Sequence, residues 1–155
     1  MLPDELKGHG YIYVMLDQLN PNLIKIGLSK EPIDRQAQLY TTSTALPMTI
    51  KYIWTVTDMK LAEDVAHFFM RGHRVNGRRE FFELVTPTAA IETDLETPHQ
   101  HYNGEELADV YLYSLMEELE SQWDYMGVEY RREDLSEYKQ RRDFNKIMSQ
   151  KYTKW

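Results

Sequence analysis

Tyr11, Tyr13 and Lys25 are the first residues whose types and spacing suggest chemistry. Two phenols beside an ammonium suit a phosphate ligand better than they suit a core. They meet only if their segments pair. Tyr11 to Leu16 and Leu23 to Leu28 both alternate, as strands with two different faces do. The intervening Asp17-Gln18-Leu19-Asn20-Pro21-Asn22 has turn chemistry. An antiparallel hairpin follows. Pairing the side that carries Ile12, Val14 and Leu16 with the side that carries Ile24, Ile26 and Leu28 leaves both tyrosines and Lys25 together on the opposite face.

Further candidates stand along the chain, each with an ordinary reading beside the functional one. Arg35 is a phosphate-binding guanidinium, or a surface partner for Glu31, and such pairs are worth little. Glu63 and His67 are one helical turn apart, which suits a two-ligand metal site or a simple neighbour pair. Asn76-Gly77 is first a turn signal. Lys25, Lys30, Arg35, Arg74, Arg78 and Arg79 together could neutralise several phosphates.

Ser29-Lys30-Glu31-Pro32 opens a helix to about Tyr40. Thr49 to Val56 is β-branched and aromatic, and reads as a strand. Asp58 starts a helix through about Gly72, with Leu61, Val65, Phe68 and Phe69 facing the core. Val75 to Arg79 is a turn, Phe81 to Leu84 a short closing strand, and Thr86-Pro87 a further helix start. Past Pro98 the character changes. Asn103-Gly104-Glu105-Glu106 resembles a capping box, leading a long helix to about Met126. Its expected apolar stripe is Leu107, Val110, Tyr111, Leu115, Leu119 and Trp123. A last helix runs from about Ser136 and carries Lys139, Arg141, Arg142 and Lys146. The fold class implied is α/β: a small mixed β-sheet flanked by helices over 10–98, with a helical extension over 99–155.

The chain has 155 residues, enough for one ordinary domain and an appendage. It lacks cysteine, which excludes disulfides, thiolate metal sites and a cysteine nucleophile. No apolar run approaches a membrane span, so no membrane partner is expected. Met1-Leu2-Pro3-Asp4-Glu5 is not a secretory signal, which makes the cytoplasm the default location. The net charge of −7 is unevenly placed. The part through Leu84 is neutral, Val85 to Glu137 has two basic against fourteen acidic residues, and the remainder has six basic against one acidic. The acidity thus lies away from the candidate site, where salt screens it beyond about 8 Å. The acidic helix and the basic tail could pair within the chain, or between two chains as a homodimer.

Taken in order, Tyr13, Lys25, Gly27, Arg35, Glu63 and Asn76 resemble the GIY-YIG nuclease superfamily. Tyr11-Ile12-Tyr13 stands where that family has Gly-Ile-Tyr, and Lys25-Ile26-Gly27 where it has Tyr-Ile-Gly. The similarity covers about Gly10 to Leu84. It is closer to a bacteriophage-type DNA-binding branch, with lysine in the second motif, a Glu and a His one turn apart, and a string like Arg79-Glu80-Phe81-Phe82. The resemblance implies a metal-dependent DNA endonuclease of phage or mobile-element origin. Glu63 would hold one Mg²⁺ or Mn²⁺, with His67 as a further ligand. Tyr13 would orient or deprotonate the attacking water, and Lys25 would favour its tyrosinate or touch the phosphate. Arg35 would grip phosphate oxygens. Tyr11, Lys30, Tyr40, Asn76, Arg78 and Arg79 would contact DNA. Two positions depart from the family: Tyr11 replaces a glycine, and Leu39 stands where some family nucleases use a polar residue, with Tyr40 next door as a substitute. A DNA-binding module without cleavage, and a protein-interaction role for the acidic helix, are the competing functions.

Overall fold

A computed structural model describes residues 8–20, 22–42, 48–75, 80–84 and 104–152. The expected hairpin is β1 (Gly10–Leu16) and β2 (Leu23–Ser29), antiparallel with Ile12 opposite Leu28, Val14 opposite Ile26 and Leu16 opposite Ile24. The Asp17 carboxylate closes the turn by accepting from the N–H groups of Leu19 and Asn20. Helix α1 (Pro32–Thr42) follows, then β3 (Thr49–Val56), which pairs antiparallel with β1. Helix α2 (Met59–Phe69) is capped by Asp58, whose carboxylate accepts from Leu61 N–H at 3.1 Å. A single 3₁₀ turn at Arg71–His73 leads towards β4 (Phe81–Glu83). Helix α3 (Gly104–Met126), β5 (Tyr130–Arg132) and α4 (Leu135–Tyr152) complete the order.

The α/β class with C-terminal helices is as the sequence implied. Among the described residues five strands lie in the order β4-β2-β1-β3-β5, and each pairing is antiparallel, so the sheet is not mixed as expected. Strand β5 has no counterpart in the sequence reading. It is three residues long and too short to show alternation, yet it places the C-terminal part on the sheet edge beside β3. Among the described residues no helix is long and apolar enough to cross a membrane.

The sheet is buried on both faces. On one, Ile12, Val14, Ile24, Ile26, Trp54 and Phe82 pack with Ala62, Val65 and Ala66 of α2 and with Leu112, Met116, Leu119 and Trp123 of α3. On the other, Tyr13, Met15, Ile53 and Phe81 pack with Leu39 of α1 and Tyr138 of α4. The expectation of an open tyrosine-lysine face is therefore corrected: α1 and α4 cover it, leaving Tyr13 1% and Lys25 3% exposed.

The expected faces of two helices are met only in part. In α2 the buried side carries Ala62, Glu63, Val65 and Ala66, while Leu61 and Phe68 are exposed. The small alanines let α2 approach closely, and the Trp123 indole N–H reaches Ala62 O at 3.0 Å. In α3 the expected Leu119 and Trp123 are in the core with Leu112 and Met116, and the expected Tyr111 and Leu115 pack against it; Val110 faces solvent, and the Leu107 side chain lies outside the described residues. The acids of α3 find cations on the sheet. Asp109 pairs with Lys51 at 3.2 Å, and Arg132 pairs with Glu117 at 3.2 Å and Glu120 at 2.7 Å. Glu120 also accepts from the buried Trp54 indole at 2.8 Å. The acidic helix is thus answered in part within the chain, and its charge does not require a second copy. The helix expected from Thr86-Pro87 and the cap residue Asn103 lie outside the described residues.

Candidate functional site

The site begins at a glycine. Gly27 faces Tyr13 across the β1–β2 ladder. The tyrosine ring lies over it, so closely that a Cβ on Gly27 would stand 2.7 Å from Tyr13 Cζ. The missing side chain lets the phenol reach towards the outer edge of β2. Strand β4 pairs with that edge only from Leu23 to Lys25, and Ile26 N–H then donates to Glu80 O at 3.1 Å. Beyond Ile26, no strand lies beside the edge among the described residues.

Three charged groups act on the phenol there. Arg35, from α1, is hydrogen-bonded to it, and the carboxylates of Glu80 and Glu63 lie near enough to disfavour its ionised form. Burial is the largest influence. With the carboxylates, and against the hydrogen bond and charge of Arg35, it pushes Tyr13 up to about 12. Tyr13 is therefore a neutral phenol at neutral pH. The expectation that Lys25 favours the tyrosinate is corrected, because desolvation dominates.

Lys25 itself forms an ion pair with Glu80, and its ammonium stands 5.2 Å from the Phe81 ring centre. It is neither a solvated strand residue nor a free phosphate contact. Glu80 is the residue that sequence reasoning passed over, as part of a string before the closing strand. It lies 55 positions from Lys25, and only the β2–β4 register brings the two together.

Arg35 is half-buried and also donates to Gln38 Oε1 at 3.3 Å. Its pairing with Glu31 is of the backbone only, N–H to O at 3.0 Å. Glu63 has a side chain 12% exposed, 3.9 Å from Lys60 Nζ. The orientation of α2 puts it on the sheet side rather than in solvent. His67, one turn on, places Nε2 2.9 Å from the carbonyl of Ile26 and its ring 5.4 Å from Phe82. That histidine pins α2 to the part of β2 that β4 leaves uncovered. Among the described residues no group of three or more His, Cys, Asp or Glu side chains gathers as a metal site would.

The remaining candidates are dispersed. Tyr11 is half-buried, with its ring edge-on to Tyr138 at 5.2 Å. Lys30 is exposed just before α1. Tyr40 is 45% exposed, whereas its neighbour Leu39 is in the second core. Arg74 stacks 5.6 Å over Phe82. Asn76, Arg78 and Arg79 lie outside the described residues. The structure thus brings Tyr13, Arg35, Glu63 and Glu80 to one edge, with Lys25 held in place by Glu80, and leaves Tyr11, Lys30 and Tyr40 apart.

The T5orf172 domain model matches residues 10–95, more than half of the chain and every residue of this constellation. This chain belongs to the T5orf172 domain family. The T5orf172 domain is phage-associated and linked to endonuclease-type folds, which fits a DNA partner. Helices α3 and α4 and strand β5 lie outside the matched residues. No curated protein and no solved structure matches the chain significantly.

Proposed function

We propose that this T5orf172 protein is a metal-dependent DNA endonuclease of the GIY-YIG type, cutting phosphodiester bonds at the open edge of β2. The observation that carries this reading is that a guanidinium from α1 and carboxylates from α2 and the β4 start all come within electrostatic reach of one phenol. These groups are far apart in sequence, and a packing role alone does not call for them together.

Glu63 fits a hard divalent cation. It offers a partly buried carboxylate, and Mg²⁺ characteristically takes one or two protein carboxylates while keeping several waters. When bound, such an ion supplies positive charge at the phosphate and acidifies a water. The chain's own residues do the rest. Arg35 binds the phosphate oxygens with its fork and stabilises their growing charge. Tyr13 is covered, so it acts first by fixing the guanidinium of Arg35, and its neutral phenol orients rather than deprotonates a water that reaches it. Glu80 neutralises Lys25 and keeps the strand pair closed beneath the site.

Plasmid nicking with Mg²⁺ or Mn²⁺ tests the reading. Arg35→Ala and Glu63→Ala should each lower the rate at least about a hundredfold, the loss of about 3 kcal/mol typical of one preorganised charge contact. Equal nicking by wild type and both variants would refute it. The second reading is a DNA-binding module without cleavage. It is favoured by the coverage of Tyr13 and by Leu39, an apolar core residue where some family nucleases use a polar one. It predicts no nicking by any form, together with DNA binding that weakens steeply with salt.

A further inference from the structure

A cleft of about 500 Å³ separates α4 from the β2–α1 junction, away from the Tyr13 constellation. One wall is Tyr11, Lys30, Glu31 and Asp34. The other is Tyr138, Arg141, Arg142, Asn145 and Lys146 of α4. These five occur at intervals of three and four, so they form a single stripe along the helix. Four cations therefore face two carboxylates. Arg142 is engaged with Asp34 at 2.5 Å, which ties α4 to α1 across the cleft, and Arg141 with Glu133 at 3.0 Å. Lys30 and Lys146 have no ion pair among the described residues. The floor is aromatic, Tyr11 against Tyr138.

We propose that this cleft holds the phosphate backbone of the nucleic-acid strand that also passes the β2 edge, with Lys30 and Lys146 as its phosphate contacts. The inference rests on the DNA-directed reading above and extends it to a part of the chain outside the family match. Two features favour a nucleic-acid strand over a small anion. Cations line both walls, Lys30 on one and Arg141, Arg142 and Lys146 on the other, which suits successive phosphates of one strand better than a single anion. The cleft also shares an element, β1, with the site. Tyr11 and Tyr13 lie on the same face of β1, about 7 Å apart along the strand, or about two nucleotide rises. Arg142 and Asp34 act as the strut that keeps the walls at this separation.

The test is fluorescence anisotropy with a labelled duplex and the corresponding single strand, in EDTA so that cleavage plays no part. Salt is varied between about 50 and 200 mM. Three full-length proteins are compared: wild type, Lys30→Gln/Lys146→Gln, and Lys139→Gln. Lys139 is exposed on α4 but does not line the cleft. The double variant should flatten the slope of log affinity against log salt by about 2, close to one unit per lost phosphate contact. Lys139→Gln should leave the slope within about 0.5 of wild type. A double variant with the wild-type slope would overturn the inference alone, while the DNA-directed reading stands. So would Lys139→Gln having, charge for charge, the same effect as the cleft lysines. Wild type that binds neither probe would overturn both.

Discussion

Replacing Gly27 with alanine tests the geometry on which the whole site depends. Two effects oppose each other. Alanine stiffens the unfolded chain, which stabilises by about 0.4–1 kcal/mol where the native backbone accepts it, and Gly27 does not have the positive φ that would forbid it. Against this, the new methyl would meet Tyr13 Cζ at 2.7 Å and Cε2 at 3.2 Å. The ring cannot retreat cheaply, because Tyr13 is 1% exposed and packed in the second core. Overpacking of that kind costs about 1–3 kcal/mol. The clash should win by about 0.5–2 kcal/mol, lowering Tm by roughly 1–8 °C for a chain of this size. Thermal and urea unfolding measure it. Repeating the substitution in a Tyr13→Ile background separates clash from backbone, since most of the penalty should vanish once the ring is gone. A Gly27→Ala protein more stable than wild type, or an equal penalty in both backgrounds, would show that the ring does not lie over the glycine. The account of the site would then be wrong at its root.

Two other outcomes follow from the same geometry. The Tyr13 phenol is raised by burial from 10 to about 12, so the native state binds more protons than the unfolded state between those values, and stability should fall as pH rises through that window. Tyr13→Phe should flatten that decline and remove a late component, near pH 12, from the tyrosinate absorbance titration; loss of a component near pH 10 instead would contradict the assignment. Glu80→Gln should cost about 1–3 kcal/mol in urea unfolding, because it strands the buried Lys25 ammonium, with the 35% exposure of Glu80 keeping the loss below that of a fully buried pair. Adding Lys25→Met should recover most of it, and a double variant no more stable than the single one would argue against the pair.

Much of the fold was legible in local sequence. The hairpin and the sides its residues share followed from alternation, because a period of two fixes which side chains share a face. Thr49–Val56 was bounded correctly by its β-branched and aromatic residues, and Asp58 announced the start of α2 by its capping chemistry. Motif order also grouped Tyr13, Arg35 and Glu63, which the fold brings near one another. What local pattern did not settle was which face of an element is covered, since that depends on partners distant in sequence. The period of α2 permits either Leu61 and Phe68 or Ala62 and Ala66 to turn inwards. The close fit of Trp123 against Ala62 accompanies the second, and with it Glu63 comes to the sheet. The tyrosine face looked open because α1 and α4, which close it, carry no local sign of where they dock. The same docking dries Tyr13 and keeps it a phenol, and the strand register alone delivers Glu80 to Lys25. Residue types were thus written in the chain, whereas their burial, protonation and partners were decided by long-range packing, which brings together groups that share no local signal.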